Sequence, residues 1–313
     1  MSKLTVALIA GGTSPEREIS LAGGEQVFQA LDKNRYDINR YDPAADLNRL
    51  IADAPALDTA LVILHGVGGE DGSVQGTLDL LGIPYQCSGV LGSALAANKL
   101  AAKQIYAQAG LPTAPYAVIT RNHPAGPEDL TTNIERLGLP LVVKPVSGGS
   151  SLGMSIVHAP DQLAAAVDKA LGTDDCLLLE AFVAGRELTG GVIGNHTLQA
   201  LPVVEIIPGE TYDYFDYEAK YTPGATREIC PAEIDADLTA RVQAYACRAH
   251  QALFCKGCSR TDMIAAADGL YLLETNTIPG MVPTSLLPLA ARAAGISFSA
   301  LLDRLIQLSL EGY

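Results

Sequence analysis

Three features of the sequence predict an α/β fold built from more than one unit. The chain opens with an apolar strand, Leu4–Ala10, that ends in Gly11-Gly12 and runs into a helix begun by Ser14–Ser20. Strand, glycine turn and helix start an open α/β sheet, whose ligands sit at the carboxyl ends of the strands. Past Pro112 and Pro115 a new unit is marked by a β-branched strand, Leu141–Val143. A glycine-serine loop, Val146–Gly153, then leads to another strand, Ser155–Val157. Near the C-terminus a strand from Ser259 turns at Asp268-Gly269 and returns as Leu270–Thr277, a hairpin pattern. At 313 residues and 48% apolar content, the chain can bury a large core or several.

Charged residues make up 18% of the chain, which beside that apolar content argues against disorder. The formal net charge of −14 argues against nonspecific binding to nucleic acid or an anionic membrane. Any anionic ligand must then be held by local basic side chains and backbone amides. No apolar run reaches transmembrane length, and MSKLTVALIAGG reads straight into a strand rather than a signal peptide. A soluble cytosolic protein is the expectation. Cys87, Cys176, Cys230, Cys247, Cys255 and Cys258 are dispersed, unlike a disulfide framework. Cys255 and Cys258 form one C-x-x-C with no second pair and no histidine pattern, so structural thiols are expected rather than zinc.

Within the first unit Ala60–Leu64 is a second buried strand, delivering His65-Gly66 and then Gly68-Gly69-Glu70-Asp71-Gly72. A histidine at a strand end among glycines is placed to meet a ligand. Leu91–Ala109 reads as one helix with Lys99 and Lys103 a turn apart on a shared face, the usual pattern of a solvated lysine face. Lys144 emerges from its strand into the glycine-serine loop, whose amides and hydroxyls can wrap phosphates. No lysine follows the last glycine, so this is not the G-x-x-x-x-G-K-[ST] loop. Cys176–Glu180 is a buried strand ending in a carboxylate, and Arg186-Glu187 begins the next. The apolar crossing between Glu180 and Glu187 could hold a purine and its ribose, or be an ordinary connection. Leu201–Ile207 is a further strand. Pro208–Pro231 follows with little periodicity but with Tyr212, Tyr214, Tyr217, Lys220 and Tyr221. Loops of that length in compact domains are commonly functional, and a lid closing over a site is expected. Ala232–Phe254 reads as a helix.

In Leu273–Pro288, Glu274 and Asn276 share one face of a strand, two oxygen-bearing groups suited to a hard cation such as Mg²⁺. Pro279-Gly280 is a turn that lets backbone approach a ligand, and Ser285 opens an apolar helix whose first N–H groups could receive an anion. Arg260 and Asp262 share a face of the preceding strand. Whether the two pairs meet depends on register. A two-residue turn at Asp268-Gly269 would pair Asp262 with Thr275 and split the carboxylates. A three-residue loop, Ala267-Asp268-Gly269 with its glycine in the left-handed region, pairs Asp262 with Glu274 and Arg260 with Asn276. A joint metal site requires the second arrangement.

Seven segments in order carry a family likeness: GGTSPEREISL (Gly11–Leu21), LHGVGGEDGSVQG (Leu64–Gly76), VVKPVSGGSSLGMS (Val142–Ser155), GRELTGGV (Gly185–Val192), DYEAKY (Asp216–Tyr221), SRTDMI (Ser259–Ile264) and ETNTIPGMVPTSLLP (Glu274–Pro288). The set resembles the D-alanine–D-alanine ligases of the ATP-grasp superfamily and spans nearly the whole chain; each segment alone is weak to moderate evidence, and together they are highly specific. The resemblance implies an N-terminal open α/β domain over 1–96, a small central domain with a phosphate flap over 97–183, and a C-terminal mixed-sheet domain with metal strands and lid over 184–313. ATP would lie between the latter two. Lys99, Lys144 and Lys220 would contact its phosphates, with Ser151 in the flap. Glu180, Phe182 and Val183 would line the adenine pocket and Glu187 would hold the ribose. Asp262, Glu274 and Asn276 would carry two Mg²⁺ (or Mn²⁺) ions. Glu16, His65, Arg260, Gly280, Ser285 and Leu286 would surround two D-alanines, with Arg260 and the Gly280 N–H as oxyanion donors. Glu16, Ser150 and Tyr221 would form a network closing the lid over the flap.

The implied reaction makes D-alanyl-D-alanine through an acyl phosphate, for peptidoglycan precursor synthesis by a cytoplasmic homodimer without nucleic-acid or membrane partners. Tyr221 favours the dipeptide over D-alanyl-D-lactate. The chain departs from the family pattern at Asn98, where aspartate commonly precedes the lysine, at Phe182, often tryptophan, and at Val282-Pro283-Thr284, a less polar lead-in to Ser285. Two other functions compete. A nucleotide-binding regulator on a decayed ligase fold should have lost a catalytic group, yet Lys144, Arg260, Asp262, Glu274 and Asn276 are all present. Another ATP-grasp ligase, joining a different acid and amine, is separable only by its substrates.

Overall fold

The computed structural model of the chain describes residues 3–122, 126–149, 152–209 and 226–311. The expectations for Ser150, Ser151, Lys220, Tyr221 and the other lid tyrosines lie outside those residues. The described residues form three sheets. The first is parallel, in the order β2-β1-β3, from β1 (Leu4–Ile9), β2 (Tyr36–Tyr41) and β3 (Thr59–Val62). Helices α1 (Arg17–Ala30), α2 (Pro43–Asp53) and α3 (Ser73–Leu81) accompany it. Val6 and Leu8 enter one core with Val27, while Ala7 and Ile9 enter another with Leu50 and Leu78. Burial on both faces is why β1 and β3 read as unbroken apolar runs.

Two short helices, α4 (Val90–Ala97) and α5 (Lys99–Gln108), lead into the second sheet. The single helix expected over Leu91–Ala109 breaks at Asn98, whose side chain accepts from Ala101 N at 2.9 Å and caps α5. The second sheet is antiparallel, β4-β7-β5-β6, built from β4 (Tyr116–Thr120), β5 (Leu141–Pro145), β6 (Ser155–Val157) and β7 (Cys176–Ala181). Helices α6 (Pro127–Leu137) and α7 (Leu163–Leu171) cover the face that carries Ile119, Leu141, Val143 and Leu179. The opposite face presents Val142, Lys144 and Glu180 to a cleft.

The third sheet runs β11-β10-β8-β12-β13, with β9 (Gln199–Ala200) beside β8 (Arg186–Ile193). Its other strands are β10 (Val204–Pro208), β11 (Thr226–Ile229), β12 (Cys258–Ala265) and β13 (Leu270–Asn276). Helix α8 (Ala236–Ala252) packs on this sheet, and α9 (Leu286–Ala293) and α10 (Phe298–Leu310) follow. Helix α8 starts later than Ala232 because Asp235 caps it, accepting from Leu238 N at 2.7 Å. Among the described residues no single helix is long and apolar enough to cross a membrane; α9 and α10 together pass on length and composition, but they meet at 104° and bury Leu287, Leu301 and Leu305 in the core.

The β12–β13 hairpin pairs Arg260 with Asn276 and Asp262 with Glu274, the register a joint site requires. It reaches that register by a different route. The connection is four residues long, Ala266–Gly269, closed by Ala266 N donating to Gly269 O at 2.8 Å. Gly269 is not among the left-handed glycines. A bulge between Asp262 and Met263 then restores the pairing, so that Leu273 is the extra residue and Leu273 and Glu274 both face outward from the buried Leu272 and Thr275.

Candidate active site

The cleft between the second and third sheets is apolar along most of its wall, with Val142, Ile156, Phe182, Val183, Ile264 and Leu273. Its charged groups are few: Lys99, Lys144, Glu180, Glu187, Asp262 and Glu274. That is the construction of a site for a flat ring carrying a charged tail. Lys144 Nζ lies 2.9 Å from Glu180 Oε1, and Lys103 Nζ lies 3.2 Å from the same oxygen. Burial favours the neutral acid, but the two ammonium groups hold the Glu180 carboxyl below its ordinary range. Burial brings Lys103 down to about 8, with Glu180 opposing. The two-lysine pattern on α5 is therefore not a solvated face, since Lys103 is 1% exposed.

At the other end of α5, Lys99 Nζ donates to Gly148 O of the flap at 2.6 Å and stands 4.0 Å from Glu274 Oε2. A second cleft begins here. It shares Lys99, Ser147, Gly148, Gly149 and Glu274 with the first and continues to Gly66, Glu70, Asn98 and Asn276. The two clefts thus meet at a lysine, a carboxylate and a glycine loop.

Glu16 is buried at the start of α1, its N–H donating to Ser14 Oγ, which itself donates to His65 O. These bonds tie Glu16 to the end of the β3 segment that delivers His65. Flap residue Gly149 passes close by, a Cβ there falling 3.6 Å from Glu16 Oε2. His65 is shifted down by burial, against Glu16 and with Arg260. Glu70, a residue the sequence reading named but gave no role, has its carboxyl pushed up to about 8. Burial is the main cause; Gly66 N, donating to Oε2 at 2.8 Å, and Arg260 oppose it, while Glu16 and Glu274 add to it. Arg260 stays charged despite burial because Asp262, Glu274 and Glu70 surround it.

Asp262 receives two bonds from Arg260, Nε to Oδ1 at 2.9 Å and Nη2 to Oδ2 at 2.8 Å. Thr189 Oγ1 donates to Oδ1 at 2.6 Å and Asn276 Nδ2 to Oδ2 at 3.2 Å. Among the described residues no three of His, Cys, Asp and Glu gather as a ligand group. The set Asp262, Glu274 and Asn276 is all-oxygen with two carboxylates, which fits a hard divalent cation completed by phosphate oxygens rather than a soft metal. Cys255 and Cys258 lie in the core. Gly280 and Ser285 also come together: a Cβ on Gly280 would sit 2.9 Å from Ser285 Oγ. Ser285 occupies the N-cap position of α9 without a side-chain cap bond, and Leu286 is buried behind it.

The D-ala D-ala ligase C-terminus family matches residues 105–307. The D-alanine–D-alanine ligase of Syntrophobacter fumaroxidans is 63% identical over 309 residues, covering 99% of this chain and 98% of its own. The chain belongs to the D-alanine–D-alanine ligase family. Its ATP-grasp fold matches the solved D-alanine–D-alanine ligase of Bacillus anthracis complexed with ATP, with a TM-score of 0.86 and 34% identity over 98% of this chain and 97% of that one. The VanG D-Ala:D-Ser ligase of Enterococcus faecalis is also similar, with a TM-score of 0.84 and 31% identity over 98% of this chain and 100% of that one. Beside these D-alanine–D-alanine ligase residues, Lys103, Glu70 and Thr189 are three polar residues at or behind the clefts to which the sequence assigns no part. Only Lys103 carried a signal, its spacing of four from Lys99.

Proposed function

We infer that the chain is an ATP-dependent ligase joining two D-alanines into D-alanyl-D-alanine. The meeting of the two clefts at Lys99, Glu274 and the flap carries the reading, because a phosphoryl group passing from a nucleotide in one to a carboxylate in the other must cross there. The three sheets support a division near 1–96, 97–183 and 184–313. ATP would place its base against Glu180, Phe182 and Val183, its ribose at Glu187 and its phosphates at Lys99, Lys144 and the flap. A hard divalent cation, Mg²⁺ or Mn²⁺, two by family expectation, would be held by Asp262, Glu274 and Asn276 and would neutralise phosphate charge.

The carboxylate of the first D-alanine attacks the γ-phosphate, ADP leaves, and an acyl phosphate forms. Lys99 offsets charge and holds the phosphate in line, most of what phosphoryl transfer asks of a protein. Glu16 and His65 bind and orient the first amino acid. The second amine, deprotonated, displaces phosphate from the acyl carbon. Arg260 and the Gly280 N–H are placed by role as oxyanion donors, with Ser285 and Leu286 at the second carboxylate. Lys220, Ser150, Ser151 and Tyr221 would complete the flap and lid, excluding water from the acyl phosphate. The family likeness supports a cytoplasmic homodimer feeding peptidoglycan precursor synthesis.

Phosphate release from ATP by purified protein tests the reading. It should depend on D-alanine and not on L-alanine, and no release at millimolar D-alanine would sink it. The likeness to a D-Ala:D-Ser ligase supports a second reading, with D-serine as the acceptor. A panel of D-alanine, D-serine and D-lactate separates the two by product.

A further inference from the structure

We infer that Lys103, which has no role in the steps above, is a positioning residue that sets the site's choice of nucleotide base. This rests on reading the first cleft as an ATP site. Helix α5 presents Lys99 to the flap and, one turn on, Lys103 to Glu180. An ammonium group that is 1% exposed must have a partner to stay charged. Lys103 has Glu180 Oε1 at 3.2 Å, the Ala114 carbonyl at 3.5 Å and the Tyr116 ring centroid at 5.4 Å. Lys144 meets the same Glu180 oxygen at 2.9 Å. Two lysines therefore converge on one oxygen of a carboxylate whose residue forms part of the cleft wall, while Lys103 stands behind that wall.

A carboxylate accepts hydrogen bonds only, and only while ionised does it lack a donor of its own. Held between two ammonium groups at Oε1 and kept ionised in an apolar slot, Glu180 offers the ligand an acceptor that carries no proton of its own. A purine with an amino group at C6 supplies the matching donor. A 6-oxo purine brings an oxygen to the same place, leaving two acceptors facing each other, and polar mismatches of that kind discriminate strongly. With Lys103 neutralised, Glu180 keeps one partner, protonates more readily and can turn its donor toward a 6-oxo group. The preference for adenine should fall while the chemistry at Lys99 and Glu274 continues.

The test compares ATP with inosine triphosphate, identical but for the 6-oxo group, in steady-state assays of wild type, Lys103→Met and Lys103→Gln. In Lys103→Met the KM for ATP should rise about tenfold and that for inosine triphosphate stay level, narrowing the preference about tenfold. The kcat at saturating ATP and the KM for D-alanine should stay within about twofold of wild type. Lys103→Gln, which keeps a shorter neutral donor, serves if the methionine variant does not fold. A folded variant with wild-type preference overturns the inference, as does a parallel loss in every parameter, the mark of a purely structural lysine. Wild type that turns over neither nucleotide fails the ATP reading instead, and wild type that uses both equally defeats the base-selection role alone.

Discussion

At the scale of residues, Asp262 and Glu274 are opposed in register yet differ in what else depends on them. Asp262 is the counter-ion of a buried arginine, held by two bonds from Arg260 and one from Thr189. Glu274 is half-buried, with the Lys99 ammonium 4.0 Å away. Glu274→Gln should reduce turnover roughly a hundredfold or more with a smaller loss of stability than Asp262→Asn, because Arg260 keeps its two bonds to Asp262. Asp262→Asn should lose turnover and, by leaving Arg260 short of its counter-charge, about 3 kcal/mol of stability. Turnover assays beside denaturant melts separate the two; a fully active Glu274→Gln protein rules out its place at the phosphates. His250 gives a prediction independent of the cleft. It is 1% exposed and bonds Ser259 Oγ through Nδ1 at 2.8 Å. Burial lowers it from 6.5 to about 4. The folded chain then refuses a proton that the unfolded chain takes as pH drops below 6.5, so stability is whole above that pH and is lost between 6.5 and about 4. The loss attributable to this ring is roughly 3 kcal/mol across the window. Urea midpoints from pH 7 to pH 4.5 should show a shallower slope in His250→Gln than in wild type; equal slopes would remove His250 as the cause.

At the scale of elements, legibility follows what each segment buries. Strands β1 and β3 were readable because burial on both faces leaves uninterrupted apolar runs. The partnership of β12 and β13 was readable because polar residues at alternate positions, Arg260 with Asp262 and Glu274 with Asn276, announce a shared face. The bulge was not, because Leu273 is as apolar as Leu270 and Leu272 and nothing in LYLL marks where the phase slips. Without that slip the four-residue connection at Ala266–Gly269 would have set Glu274 on the face of the buried Leu272. The break between α4 and α5 was hidden in the same way: alanine and leucine on both sides favour helix, and Asn98 reads as one more helical residue until its cap bond is seen. That break puts Lys99 at the first position of α5, where it borders both clefts. Leu201 and Val203 are buried as expected of a strand, but the ladder starts only at Val204, with Val204–Ile206 paired to β8 and Glu205–Pro208 to β11. The family segments contain Glu16, Lys144 and Ser285, to which the resemblance gives parts, whereas Lys103 lies outside every segment and is set apart by its burial, which no local pattern records.

At the scale of the whole molecule, the clefts exist only if the first sheet is held at a fixed position against the third. The junction is backbone packed on backbone. Gly257, just before β12, has φ +69, and a Cβ there would fall 1.7 Å from Gln86 O in the segment after β3. Lys256 N donates to Ser88 Oγ, and Asn195 Oδ1 accepts from Gly257 N. Gly92 packs on the Phe254 carbonyl less tightly: a Cβ there would lie 2.6 Å from that oxygen. Gly257→Ala therefore combines left-handed strain with a clash that only movement of the first unit relieves, at roughly 2–5 kcal/mol. Gly82→Ala is the control, since it has φ +67 but nothing within 4 Å, and should cost about 1 kcal/mol with kinetics unchanged. Displacing the first unit moves Glu16 and His65 relative to Arg260 while leaving the cleft between the second and third sheets intact. In Gly257→Ala the KM for D-alanine should thus rise several-fold more than the KM for ATP. Equal changes in both constants, or a D-alanine KM that stays at the wild-type value in a folded protein, would show that the junction does not set the geometry of the amino-acid site.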